Sequence, residues 1–130
     1  NNTPRVSYIS NIYIHTSSTG EVGVRTYMHV EAVCDAIVFL MKKGELGQKY
    51  NITCELTLDN SSLLSLICKE LNSCNLNIQF QKGRLSGCGY DYKYSMIDTA
   101  IKNLGWVDTY DHTEKLKETI NWYVNNKKWL

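Results

Sequence analysis

No long apolar run occurs in this sequence. The longest, Ala36–Met41, falls far short of the roughly 20 residues a helix needs to cross a bilayer. An excess of one charge is also missing, since 14 Lys and Arg stand against 13 Asp and Glu, a formal charge of +1. Nucleic acid and anionic membranes are usually met by a concentrated basic face, so neither partner is expected. There is no C-x-x-C, and His15, His29 and His112 supply no closely spaced pair, so no metal site is expected. The cysteines are odd in number (Cys34, Cys54, Cys68, Cys74 and Cys88), and Cys34 and Cys68 fall inside apolar helical patterns. Free, buried thiols in a reducing compartment fit that count. Asn1–Arg5 are polar and lack the apolar core of a signal peptide, so the N-x-S/T triplets at Asn1, Asn51 and Asn60 carry little weight. The chain reads as soluble and cytoplasmic.

What is present is ordinary globular material: 43% hydrophobic and 21% charged residues, in a length that suits one domain over residues 1–130. Asn11–Thr16 alternates as a short strand, and Ser17–Gly23 is a small-residue loop with two glycines. Arg25–Val30 is β-prone. Val30, Val33, Cys34, Ile37, Val38, Leu40 and Met41 recur at helical spacing, which Lys42-Lys43-Gly44 terminates. Lys49–Thr53 reads as a buried strand, and Asp59–Ser62 offers capping oxygens to a helix whose apolar face runs through Leu63, Leu64, Ile67, Cys68 and Leu71. Leu76–Phe80 alternates as a strand and Gln81–Gly89 as a loop. Tyr90–Met96 carries alternating tyrosines, Ile97–Leu104 suggests a short helix ended by Gly105, and a last helix spans about Thr113–Asn126. No repeat, linker or low-complexity tract interrupts them. Alternating strands and helices give an α/β class.

Three stretches carry a resemblance. IHTSSTGEVGVRTYMHV, from Ile14 to Val30, is an apolar strand, a glycine loop, an arginine and the start of a helix. Lys43–Ile52 spells K-G-x-x-G-x-x-Y-N-I. Gly89–Tyr94 is followed by Leu104-Gly105-Trp106 and by Thr119–Tyr123, similar to "G-H-D-R-R-Y", "L-G-W" and "T-V-x-W-Y". In this order the chain resembles the C-terminal portion of the dTDP- or UDP-glucose 4,6-dehydratases, in the extended short-chain dehydrogenase/reductase (SDR) family. The resemblance implies a small mixed α/β substrate-binding domain of an extended SDR enzyme, with the Rossmann cofactor domain absent.

The resemblance assigns Arg25 to the nucleotide diphosphate, where a planar fork can hold phosphate oxygens in two hydrogen bonds. The residue alone also fits a surface arginine on a strand. His15 falls beside the family's base position, and Asn60 where an asparagine supports the nucleotide; on its own Asn60 reads as a helix cap. Arg84 is the candidate second phosphate arginine, three residues too early in its loop, and Tyr90 replaces the family's loop histidine. Ala32 stands where the family usually has Asp. Trp106, Trp122 and Trp129 read as core or interface packing. Tyr123 and Lys127 spell Y-x-x-x-K, but they lie at the end of the last helix, whereas the family's catalytic pair belongs to the cofactor domain. Gly83, Gly87 and Gly89 lack the spacing and context of a dinucleotide fingerprint.

In the family, NAD-dependent oxidation at C4 of the sugar, loss of water across C5–C6 and return of hydride at C6 use residues of the cofactor domain. The resemblance therefore implies no catalytic residue and no cofactor site in this chain, NAD for the full-length enzyme, and UDP- or dTDP-glucose as ligand. The missing N-terminal Rossmann domain is an implied partner. An apolar surface left where it would dock is expected to drive self-association, making a homodimer a further expected partner. A non-catalytic remnant or interaction module of the same fold, and a fragment of a related 4-epimerase or reductase, are the alternatives.

Overall fold

The computed structural model describes residues 10–71, 76–82 and 92–129. In chain order the elements are β1 (Ser10–Thr16), β2 (Val24–Thr26), α1 (Val30–Lys43), β3 (Thr57–Asp59), α2 (Asn60–Leu71), β4 (Leu76–Lys82), α3 (Thr99–Asn103) and α4 (His112–Asn125), then a 3-10 turn at Lys127–Trp129. The α/β class stands. β1 and β4 pair in parallel, with Ile12 opposite Ile78 and Ile14 opposite Phe80. Parallel strands need a long crossover, and here everything from β2 to α2 lies between them. A second, antiparallel pair joins β2 to β3. The alternation in β1 is real: Ile14 and Thr16 are buried, while Tyr13 and His15 point to the exposed face.

The strand expected over Lys49–Thr53 does not form. Those residues are irregular, and β3 comes later, at Thr57–Asp59. The alternation there reports burial without pairing, because Tyr50 and Ile52 pack on the core cluster of Ala36, Ile101 and Trp106. Tyr50 Oη also accepts the N–H of Glu45 at 3.0 Å. The β-prone Arg25–Val30 stretch contributes only its first two residues to a strand, since His29 turns the chain into α1 as its cap, accepting the Glu31 N–H at Nδ1.

Helix α1 also corrects its expected face. Its buried side chains are Ala32 and Ala36, with Phe39 and Leu40 packed beside them, whereas Val30, Cys34, Ile37, Val38 and Met41 are exposed. The apolar period is right and its phase is wrong: Ala36 lets Ile101 and Trp106 approach the helix closely, which a larger residue would prevent. Cys34 is accordingly exposed, and Cys54 and Cys68 are only half-buried, although none of the three forms a disulfide. Of the tryptophans, Trp106 alone is in the core. Trp122 and Trp129 are exposed and lie against one another, centroids 6.2 Å apart.

Two glycines end helices for different reasons. Gly105, at φ 95°, takes the left-handed conformation after α3. Gly44 follows α1 at φ −69°, where the constraint is space: a Cβ there would meet the Leu40 carbonyl oxygen at 2.6 Å. For Gly105→Ala we expect a loss of about 1–2 kcal/mol, the cost of a left-handed L residue. A urea midpoint equal to that of the wild type would show that the turn relaxes instead.

Candidate functional site

Pairing of β2 with β3 brings Arg25 and Asn60 to one edge of the fold. Val24 lies opposite Asp59 and Arg25 opposite Leu58, and the Asn60 backbone N–H donates to the Gly23 carbonyl at 3.1 Å. Arg25 is held in place. Its Nη1 donates to the carbonyls of Val24 at 2.7 Å and Tyr92 at 3.4 Å, and its guanidinium carbon lies 4.8 Å from the centre of the Tyr94 ring. The 92–94 segment is itself tied to β2, through the Val24 N–H to Tyr92 carbonyl bond of 2.8 Å and a parallel bridge between Val24 and Lys93.

Asn60 is the first residue of α2, and the cap belongs to Asp59. The Asp59 carboxylate accepts the Ser62 hydroxyl at 2.7 Å and the Ser62 N–H at 2.8 Å. These bonds, the hydroxyl's first, hold its carboxyl below the usual aspartate range. A carboxylate thus occupies the positive end of α2, which disfavours a phosphate at the helix amides. His15 sits on the exposed face of β1, in the other sheet. The two sheets are linked by a tight turn in which Ser17 Oγ accepts the Glu21 N–H at 2.9 Å and Gly20 adopts φ 93°. Arg84 and Tyr90 lie outside the described residues, as do the glycines of their loop. The Tyr123 and Lys127 pair is split, because α4 ends at Asn125 before Lys127 begins its 3-10 turn.

A polar cluster that the sequence did not reveal joins α1 to α4. His112, buried at the start of α4, accepts the His29 backbone N–H at Nδ1 (3.1 Å), which leaves Nε2 to carry the proton facing Asp108 Oδ2 at 2.6 Å. Around it, Lys115 bridges Glu31 (2.9 Å) and Glu118 (2.8 Å), and Tyr110 Oη donates to Asp35 at 2.5 Å. The hydrogen bond and charge of Lys115 lower the Glu31 carboxyl, and Asp35 raises the Tyr110 phenol. Cys54 donates its thiol to the Tyr27 carbonyl at 3.2 Å, and burial pushes that thiol up, away from a nucleophilic state. Open cavities of about 710 and 700 Å³ flank His112, and Arg25, Asn60 and His15 line neither. Arg25 and Asn60 lie on the β2–β3 edge, and His15 lies in the other sheet. The signal for the cluster was local, a carboxylate and a histidine spaced i, i+4 ahead of a helix, and it is too common to assign from sequence.

No family model matches the chain. It is 34% identical over 107 residues to a trifunctional UDP-glucose 4,6-dehydratase/UDP-4-keto-6-deoxy-D-glucose 3,5-epimerase/UDP-4-keto-L-rhamnose-reductase of Arabidopsis thaliana, over 82% of this chain and 16% of that protein. To a dTDP-glucose 4,6-dehydratase of Xanthomonas campestris it is 27% identical over 115 residues, 82% of this chain and 32% of the other. Among solved structures, the dTDP-glucose 4,6-dehydratase of Bacillus anthracis in complex with NAD superposes with a TM-score of 0.74 at 27% identity, over 92% of this chain and 36% of that one. The chain thus spans a third or less of the curated relatives named here. Its fold is that of a mixed α/β piece of an SDR dehydratase. More particularly, the chain matches a C-terminal part of an extended SDR nucleotide-sugar dehydratase.

The full-length dehydratases of this kind use NAD. The described residues do not fit that cofactor. Where a strand leads into a helix, at Tyr27–His29 and at Asp59–Asn60, there is no glycine, and the second junction carries the Asp59 carboxylate. No step through NAD is assigned to them.

Two outcomes test this geometry. His112→Phe strands the His29 N–H and removes the donor to Asp108, so unfolding by urea should show a loss of about 1–3 kcal/mol; an unchanged midpoint would mean water replaces both bonds. Asp59 has a folded pKa below its unfolded value, so its contribution is complete above about pH 4 and fades as pH falls through the lowered value. Asp59→Asn should therefore narrow the stability gap between pH 6 and pH 3, and equal slopes in both proteins would refute the assignment.

Proposed function

We propose that this chain is the nucleotide-sugar-binding part of an NAD-dependent NDP-glucose 4,6-dehydratase, gripping the ligand without turning it over alone. One observation carries the reading. Arg25 stands, already oriented, on the edge that also bears Asn60, and these are the two positions that the resemblance assigns to the nucleotide. The likeness to enzymes named for UDP-glucose and dTDP-glucose supports a UDP- or dTDP-sugar as ligand. Arg25 pairs with the diphosphate and Asn60 supports the nucleotide, and the resemblance adds His15, Arg84 and Tyr90 as further ligand contacts. Catalysis belongs to the cofactor-binding part of the enzyme, since positioned acid, base and hydride groups are needed besides binding.

The exposed apolar stripe of α1 (Val30, Cys34, Ile37, Val38 and Met41) supports a docking partner on that helix, either the Rossmann part or a second copy. The same stripe favours the second reading, an interaction module that keeps the fold without the chemistry.

Calorimetric titration with UDP-glucose and dTDP-glucose tests the first reading. Wild type should bind one of them in a salt-sensitive manner, and Arg25→Ala should weaken Kd by on the order of tenfold or more, the worth of a charge-assisted bond. Equal affinity in the mutant, or no binding by the wild type, would sink the assignment and favour the module.

A further inference from the structure

We infer that Tyr94 is a positioning residue for the nucleotide-sugar site, holding the Arg25 guanidinium in its binding orientation before the ligand arrives; this rests on the reading of Arg25 as the diphosphate cation. Arginine has a long, rotamer-rich side chain, and ordering one on binding costs about 0.5–1.5 kcal/mol. Here the ordering is present in advance. Two carbonyls, of Val24 and Tyr92, engage Nη1, and the Tyr94 ring supplies a plane against which the guanidinium rests at 4.8 Å. A ring contact of this kind attracts the cation to the negative face of the ring and leaves its charge in place. Both carbonyl bonds engage the same nitrogen, Nη1, and the ring contact adds a constraint on the guanidinium as a whole.

Burial does not account for Tyr94, whose surface is 57% exposed. Register does. Lys93 bridges to Val24, so the alternation along 92–94 sets the Tyr92 carbonyl on the β2 backbone and brings the Tyr94 ring to the neighbouring Arg25. A short, otherwise irregular segment is thereby aligned with the one strand that carries the arginine.

The test is a double-mutant cycle on this chain, titrated with whichever of UDP-glucose and dTDP-glucose it binds. Tyr94→Leu should weaken Kd about two- to fivefold, the range of an exposed cation–π contact, and Tyr94→Phe, which keeps the ring, should bind as the wild type does. In the Arg25→Ala background, Tyr94→Leu should cost nothing further. If Tyr94→Leu binds like wild type, or weakens binding equally with and without Arg25, the positioning role is wrong while the reading of Arg25 stands. If Arg25→Ala binds as tightly as wild type, or wild type binds neither sugar, the reading of the site itself fails and takes this inference with it.

Discussion

One imidazole holds the helical half of the molecule together. His112 receives the backbone N–H of His29, the residue that caps α1, and turns its other nitrogen to Asp108, ahead of the α4 start. A buried ring with both nitrogens engaged fixes the distance and rotation between two helices more tightly than apolar contact does, because hydrogen bonds are directional. Lys115 between Glu31 and Glu118, and Tyr110 on Asp35, repeat the link on the exposed side, where water weakens each contact. The α1 axis is thus set at its N-terminal end by polar bonds and further along by Ala36 against Ile101 and Trp106.

That arrangement matters for the edge that carries Arg25. β2 runs into α1 through only Tyr27–His29, so holding the α1 cap also holds the strand. From the other side, Asp59 caps α2, and β3 is drawn against β2 with its Leu58 opposite Arg25. Both flanks of the candidate site are therefore anchored by helix caps. Two backbone carbonyls and a ring are among the contacts that orient the arginine. Asp59 is close along the backbone, but its oxygens are committed to Ser62.

The outer stripe of α1 shows how composition and arrangement separate. Its residues are as apolar as a core, and the sequence period would serve a core helix, yet the fold buries the alanines. An α1 covered on both sides would explain why nearly its whole circumference is apolar, as helices enclosed by protein tend to be.

Much of the architecture follows from the sequence alone. β1, α1, α2, β4, α3 and α4 arise where periodicity and end signals place them, because those signals act within a few residues: alternation for β1, lysines and a glycine after α1, a left-handed glycine after α3. The order of short motifs was enough to bring out the resemblance to the dehydratases, since it depends on spacing along the chain. What required the tertiary structure was every question of facing. Which side of α1 is buried, whether Tyr50 and Ile52 pair or merely pack, and that Tyr94 lies on Arg25 all depend on partners distant in sequence. Local pattern fixes the period of an element; its phase and its neighbours are decided by which surfaces close together, and the Arg25 edge and the His112 link exist only once that closure has occurred.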